Sequence, residues 1–120
     1  MPVIVNSEGM VTRRGEGWTE ITLADTQIIG APAMVARRWV FEPDARGPEL
    51  IQNDVDQLLY VIRGSGLAVV NGVEFQLNDE SVLWLEPGER YCFIGGSDGL
   101  EILQGYAPGG QPDSGGSAGL

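Results

Sequence analysis

Short runs of alternating apolar and polar residues, separated by turn residues, are the feature that most restricts the fold of this chain. Residues typical of turns occupy positions 63–66, 71–72, 78–79, 87–88 and 95–99, at intervals of about ten residues. No run has the spacing of three to four residues that marks an amphipathic helix. Alternation with a period of two is typical of strands with one buried face. The sequence therefore predicts an all-β sandwich or barrel.

The strands are predicted where Val, Ile, Leu and aromatic residues are concentrated. Within this pattern, Asn71-Gly72 is the strongest local signal, because both residues readily adopt the positive φ angles of a two-residue type I′ hairpin turn. The predicted strands are Pro2 to Val5, Thr19 to Leu23, Ala33 to Phe41, Gln57 to Ile62, Gly66 to Val70, Val73 to Leu77, Ser81 to Leu85, Tyr91 to Ile94 and Leu100 to Tyr106.

The length of 120 residues fits one domain. We expect residues 1–106 to form it, with strands at the amino terminus. Residues 107–120 contain five glycines, two prolines and little apolar material, so they are expected to form a flexible tail.

Charge and composition exclude several functions. Lysine and histidine are both absent, so a lysine Schiff base, a Ser-His-Asp triad and a histidine metal site are excluded. The net charge of −10 disfavours nucleic acid and anionic membranes. The single cysteine, Cys92, is interpreted as a buried apolar residue. Because no leader or membrane segment is evident, we expect a cytoplasmic protein.

From Pro43 to Pro108 the chain resembles the cupins, which form a small jelly-roll barrel, or double-stranded β-helix, of two antiparallel sheets. The first cupin motif, G-x5-H-x-H-x3,4-E-x6-G, is similar to the segment that ends at Gly64. The second, G-x5-P-x-G-x2-H-x3-N, is similar to the segment around Pro87-Gly88, with Gly95 in place of its asparagine. The resemblance implies a cupin barrel.

The resemblance places four residues where cupins bind a metal: Ile51, Asn53, Gln57 and Tyr91. Ile51 has no donor atom, the amides are weak neutral donors, and a tyrosine normally stays protonated up to about pH 10. We therefore expect no metal and no cofactor.

A shift in the loop register would change that expectation. It could turn Glu49, Gln52, Asp54 or Asp56 into the barrel, where carboxylates could hold a hard cation such as Ca²⁺ or Mg²⁺.

In the barrel implied by the resemblance, strand parity identifies the lining of a cavity. If Gln57 points inward, Leu59 does too, and an inward Tyr91 brings Phe93 with it. Asn53, Gln57 and Tyr91 form a polar, uncharged set that suits a neutral or weakly polar ligand. Ile51 joins the lining through its motif position, and Trp39, Trp84 and Arg37 are further candidates from strands of less certain parity.

The outward set Leu58, Tyr60 and Ile62 predicts a homodimer, because cupins commonly pair through one sheet. The alternative is that these residues pack under the amino-terminal segment of the same chain.

Four functions remain open at this stage. The first is a metal-free barrel that binds a small organic molecule, with a metabolic or natural-product pathway as its context. The second is a cofactor-independent isomerase, cyclase or lyase with Tyr91 as its acid and an aspartate or glutamate as its base. The third is a metal-dependent dioxygenase or isomerase, which the lack of histidine makes the weakest. The fourth is a storage or partner-binding barrel with a filled interior.

Overall fold

The structure, a computed structural model, describes residues 10, 12–24 and 34–107, and all regular structure there is β-strand. Accordingly, no helix in these residues is long and apolar enough to cross a membrane. The all-β prediction is confirmed. The predicted strand Pro2 to Val5 and nearly all of the predicted tail lie outside the described residues. The strands are β1 (Thr12–Gly15), β2 (Trp18–Ala24), β3 (Val35–Phe41), β4 (Leu50–Ile51), β5 (Gln57–Val70), β6 (Val73–Leu77), β7 (Val82–Leu85) and β8 (Arg90–Tyr106).

The strands form one continuous antiparallel sheet in the order β1-β2-β3-β8-β5-β6, with β4 paired to β8 and β7 to β5. The sequence predicted two strands within each of β5 and β8, but the structure joins them into strands of 14 and 17 residues. The later half of β8 pairs with β3, and its first residues pair with β4. The sheet thus has two halves that are connected through β5 and β8.

Glycines allow the long strands to approach each other closely between the two halves. The pairing of β5 with β8 shifts register between Gly64 and Gly66. Gly64 has a φ of 96°, and a Cβ atom there would lie 2.2 Å from the carbonyl oxygen of Gly99. A Cβ atom on Gly66 would lie 2.2 Å from the carbonyl oxygen of Ile94. Only glycine fits at such distances, and bulges of this kind let a strand bend from one sheet half to the other.

The two halves of the sheet enclose one core. A series of aromatic rings crosses it, with centroid distances of 5.6 Å from Trp18 to Trp39, 6.0 Å from Trp39 to Phe41 and 5.9 Å from Phe41 to Phe93. Tyr91 completes the series at 5.6 Å from Phe93. Residues of β2 and β3 in one half therefore pack against residues of β8 in the other.

Strand parity in β5 follows the sequence prediction. Leu59 and Val61 are buried, whereas Leu58, Tyr60 and Ile62 are partly exposed on the outer face. The predicted hairpin is also present: Val70 pairs with Val73, and the intervening Asn71 and Gly72 have φ angles of 50° and 83°.

Candidate functional site

A cavity of about 450 Å³ lies between β1, β2, β3, β4 and β8. This volume falls within the range of known small-molecule sites, about 300–1,000 Å³. Charged, polar and apolar side chains all contribute to its lining, which consists of Thr12, Arg13, Glu20, Thr22, Arg37, Trp39, Leu50, Ile51, Gln52, Tyr91 and Gln104.

A buried hydrogen-bond network forms the inner end of the cavity. The Tyr91 hydroxyl donates to Oε1 of Gln57 at 2.8 Å, and Nε2 of Gln104 donates to the same oxygen at 2.6 Å. Nε2 of Gln104 also donates to the Tyr91 hydroxyl at 2.9 Å. Nε1 of Trp39 donates to Oε1 of Gln104 at 2.8 Å. All four residues are at most 3% exposed, so the network is held rigidly at the centre of the barrel.

Burial raises the pKa of Tyr91 to about 12, because the phenolate would lose its hydration. The hydrogen bond that Gln104 donates to the Tyr91 oxygen favours the phenolate and offsets only part of this effect. Tyr91 is therefore a neutral phenol at physiological pH. Its oxygen uses one lone pair for Gln104 and retains another that can accept a hydrogen bond from a ligand.

A cluster of three charged residues also lines the cavity, on the inner face of the sheet. Oε1 of Glu20 lies 2.7 Å from Nε of Arg13, and Oε2 lies 3.4 Å from Nε of Arg37. Glu20 is only 8% exposed although it is charged. Nη1 of Arg37 donates to the Tyr106 hydroxyl at 2.8 Å, and the guanidinium lies over the Tyr106 ring. We call Arg13, Glu20 and Arg37 the inner charge cluster.

The short strand β4 directs other residues into the cavity than the motif implied. Leu50 lies directly opposite Tyr91, and Gln52 lines the cavity beside it. Ile51 also reaches the lining but is 42% exposed, and Asn53 is exposed outside the lining. The amide nitrogen of Gly88 donates to the carbonyl oxygen of Gln52 at 2.7 Å, which anchors the loop in this position.

Of the remaining predicted lining residues, Trp39 and Arg37 reach the cavity. Leu59 and Phe93 are buried in the apolar core and do not line the cavity. Trp84 lies outside the barrel and is 60% exposed. The reason is its register: Trp84 pairs with the outward residue Leu58, so both side chains point to the outer face.

The residues that the motif resemblance assigned to a metal site do not fit a transition metal. Both lone pairs of Gln57 Oε1 accept hydrogen bonds, and the Tyr91 hydroxyl keeps its proton. The sequence has no histidine to supply imidazole. Within the described part of the chain, no three His, Cys, Asp or Glu side chains are grouped as metal ligands would be.

The carboxylates considered for a hard cation also lie apart from the cavity. Glu49 faces Arg90, with 3.6 Å between the charged atoms. Asp54 and Asp56 line a groove on the outer surface together with Trp84. The anchored loop turns these side chains away from the barrel interior.

Several residues of the site were absent from the sequence prediction, and the two that differ most in the signal they left are Gln104 and Glu20. Gln104 lies two residues after the buried Ile102 on the predicted last strand, so parity alone would have placed it inward. Glu20 gave no such signal, since its neighbours Ile21 and Leu23 are the apolar residues of that strand. Glu20 is buried because two arginines on neighbouring strands neutralise it.

Comparison with solved structures identifies the fold. KdgF from Halomonas sp. superposes with a TM-score of 0.73 at 13% identity, covering 92% of this chain and 97% of that one. An RmlC-like cupin from Shewanella frigidimarina gives 0.71 at 17% identity, covering 92% and 95%. The polyketide cyclase RemF from Streptomyces resistomycificus gives 0.72 at 20% identity, covering 94% and 83%. No family model matches the sequence, and no curated protein does.

The protein therefore has the jelly-roll barrel fold of these cupin structures. Matched structures with this fold include isomerase, cyclase and decarboxylase-like proteins.

Proposed function

We propose that this protein binds a small organic molecule in the barrel cavity without the help of a metal. The observation that carries the proposal is the cavity of about 450 Å³ with the buried Tyr91–Gln104–Trp39 network at its inner end. A network of this kind fixes polar groups in place before a ligand arrives, which lowers the entropic cost of binding. Leu50 and Ile51 supply apolar wall opposite these groups.

We propose binding without a metal because the side chains at the centre of the barrel are poor metal ligands. Gln57 and Tyr91 satisfy each other at the positions that the motif resemblance assigned to metal ligands, so recognition falls to hydrogen bonds and apolar contact. A ligand that enters can use the free lone pair of the Tyr91 hydroxyl and the groups of the inner charge cluster.

The test is a thermal-shift screen of small metabolites against chelator-treated protein, with hits mapped by NMR amide shifts. Thr22→Trp should block binding, because Thr22 lines the cavity and an indole would fill it. Thr19→Trp is the matched control on the same strand, since Thr19 pairs with Val40 outside the lining. Thr12→Trp should also block binding, and because Thr12 is an exposed residue of the lining, its substitution should not disturb the core. Hits that survive both blocking variants would refute cavity binding.

A cofactor-independent acid–base enzyme is the second candidate. The observation that favours it is a carboxylate, Glu20, lining the same cavity as the neutral phenol of Tyr91. Glu20 would accept a proton from an acidic C–H bond of the substrate, while the Tyr91 hydroxyl, turned from Gln57 toward the substrate, would donate a hydrogen bond to the oxygen that gains charge. Such a pair suits an isomerase, cyclase or lyase.

Hydrogen exchange separates this enzyme from a binding protein. A ligand found in the screen should incorporate deuterium from D₂O at its acidic carbon in the presence of the wild-type protein and not with Glu20→Gln. Glu101→Gln is the control, because Glu101 also lies between two arginines, Arg38 and Arg63, but outside the cavity. Absence of exchange with every bound ligand would favour binding alone.

A further inference from the structure

We propose that the ligand of the cavity carries a single anionic group, a carboxylate, and that Arg37 binds it. The inference rests on the proposed function and narrows the class of ligand. It differs from the neutral ligand that the sequence suggested, because the inner charge cluster joins residues of three strands and strand alternation does not predict it.

The first observation is the charge of the lining. The charged residues of the lining are Arg13, Glu20 and Arg37, and their formal charges sum to +1. The chain as a whole carries −10. The cavity is thus a locally positive site in an acidic protein, and a single negative charge would balance it. At physiological salt, charges more than about 8 Å away are largely screened, so the nearby cluster dominates over the distant acids.

The second observation is the arrangement of Arg37. Its register partners are Gln104 on β8 and Thr22 on β2, and both of these residues line the cavity. The Arg37 side chain is 29% exposed and is fixed by Glu20 on one side and by Tyr106 on the other. A guanidinium held in this way has lost its rotamer freedom before the ligand binds, which favours recognition of a planar carboxylate.

The third observation is the number of free donors. A guanidinium has five N–H groups. In the described residues, Nε of Arg37 lies 3.4 Å from Oε2 of Glu20, and Nη1 donates one N–H to Tyr106. Within the described part of the chain, the other three N–H groups, on Nη1 and Nη2, have no partner and can form the paired hydrogen bonds of a carboxylate.

A carboxylate fits this site better than a phosphate ester. It carries one charge, which matches the sum of the lining, whereas a phosphate monoester carries close to two at neutral pH. The inner end of the cavity offers neutral groups to the remainder of the ligand, since Tyr91 keeps its proton and Trp39 and Leu50 present apolar surface.

The experiment compares benzoate with benzamide, which have nearly the same size and shape but differ in charge. Each is titrated into ¹⁵N-labelled full-length protein and followed by amide shifts. Benzoate should bind in the cavity about tenfold more tightly, as expected for a charge-assisted pair. Arg37→Gln should remove this preference. Arg38→Gln should retain it, because Arg38 occupies the equivalent place in the outer Arg38–Glu101–Arg63 cluster.

Salt provides a test on the wild-type protein, which remains decisive if Arg37→Gln does not fold. Sodium chloride should weaken the binding of benzoate and leave that of benzamide unchanged. Equal affinities for the two probes, or a preference that survives Arg37→Gln, would overturn the carboxylate inference and leave the proposed function standing. No cavity binding by either probe overturns the inference as well, and the wider screen then decides the proposed function.

Discussion

The Tyr91 hydroxyl lies 2.8 Å from Oε1 of Gln57, although the two residues are 34 positions apart in the chain. One comes from the start of β5 and the other from the start of β8. The motif resemblance assigned both to metal-ligand positions, and in the structure they are hydrogen-bonded to each other. The hydrogen bond thus stabilises the centre of a barrel whose donor set does not fit a transition metal.

Tyr91→Phe should lower the free energy of unfolding by about 1–2 kcal/mol, the usual cost of losing a buried hydrogen bond and leaving a partner unpaired. The substitution removes one bond to Gln57 and one from Gln104. Urea denaturation at pH 7 measures the change. Tyr60→Phe is the control, since Tyr60 is 36% exposed on the outer face and its loss should cost under about 0.5 kcal/mol. Equal effects of the two variants would contradict the buried network.

High pH should destabilise the protein through the same residue. The pKa of Tyr91 is about 12 in the folded protein against about 10 in an unfolded chain, so the folded state holds its proton longer. The resulting contribution to stability is complete below pH 10 and is lost as the pH rises through 12. It amounts to about 3 kcal/mol.

Denaturation between pH 8 and 12, with tyrosinate absorbance alongside, tests this pH dependence. The measurement is simple to interpret because the chain has no lysine to titrate in the same range. Tyr91→Phe should show a shallower loss of stability between pH 10 and 12. The prediction is wrong if the two proteins show the same profile.

Some of these features follow from the sequence because they depend on local periodicity. The alternation in β5 placed Gln57 and Leu59 inside and Leu58 outside, and the Asn71-Gly72 turn fixed the register of the hairpin. In both cases, neighbouring residues determine the outcome, so short windows of sequence are sufficient.

Other features depend on residues that are far apart in the chain, so the local sequence pattern does not predict them. Glu20 is buried only because Arg13 and Arg37 flank it on adjacent strands. Asn53 lies outside the cavity because a backbone hydrogen bond from Gly88 anchors the preceding residue, Gln52. Such contacts arise from the folded arrangement of strands, which the alternation of each strand does not specify.

Removal of metal ions should leave the protein unchanged. We expect EDTA to shift the unfolding midpoint by less than the error of the measurement, because Gln57 and Tyr91 already satisfy each other. Elemental analysis of protein purified without added ions should find far less than one transition metal per chain. A stoichiometric metal that is lost from Gln57→Leu would contradict this expectation.

Glycine at position 64 should be essential to the bend between the halves of the sheet. Gly64→Ala combines a positive φ with a Cβ atom 2.2 Å from a backbone oxygen, whereas Gly72→Ala has a positive φ of 83° with nothing within 4 Å. The strained φ alone costs about 1 kcal/mol. We expect Gly64→Ala to cost at least about 2 kcal/mol more than Gly72→Ala in denaturant unfolding. Similar values for both would show that the strands separate there without penalty.

The outer face of the sheet should mediate the homodimer predicted from the sequence. Leu58 pairs with Trp84 and Tyr60 with Leu103, so these partly exposed side chains adjoin on one face. A contiguous apolar surface of this kind is unusual on a monomer, and a two-fold interface would use it twice. Light scattering after gel filtration should therefore give about twice the chain mass of 12.9 kDa.

Substitution at this outer face should separate the subunits. Leu58→Glu and Trp84→Glu place charges in the apolar surface, so each should yield a monomer that keeps the β-sheet circular dichroism signal. Phe75→Glu is the control, because Phe75 is similarly exposed, at 48% against 44% for Leu58, but lies on β6 at the other end of β5. A monomeric wild-type protein, or a dimer that survives both substitutions, would contradict the prediction and return Leu58 to the alternative of packing within its own chain.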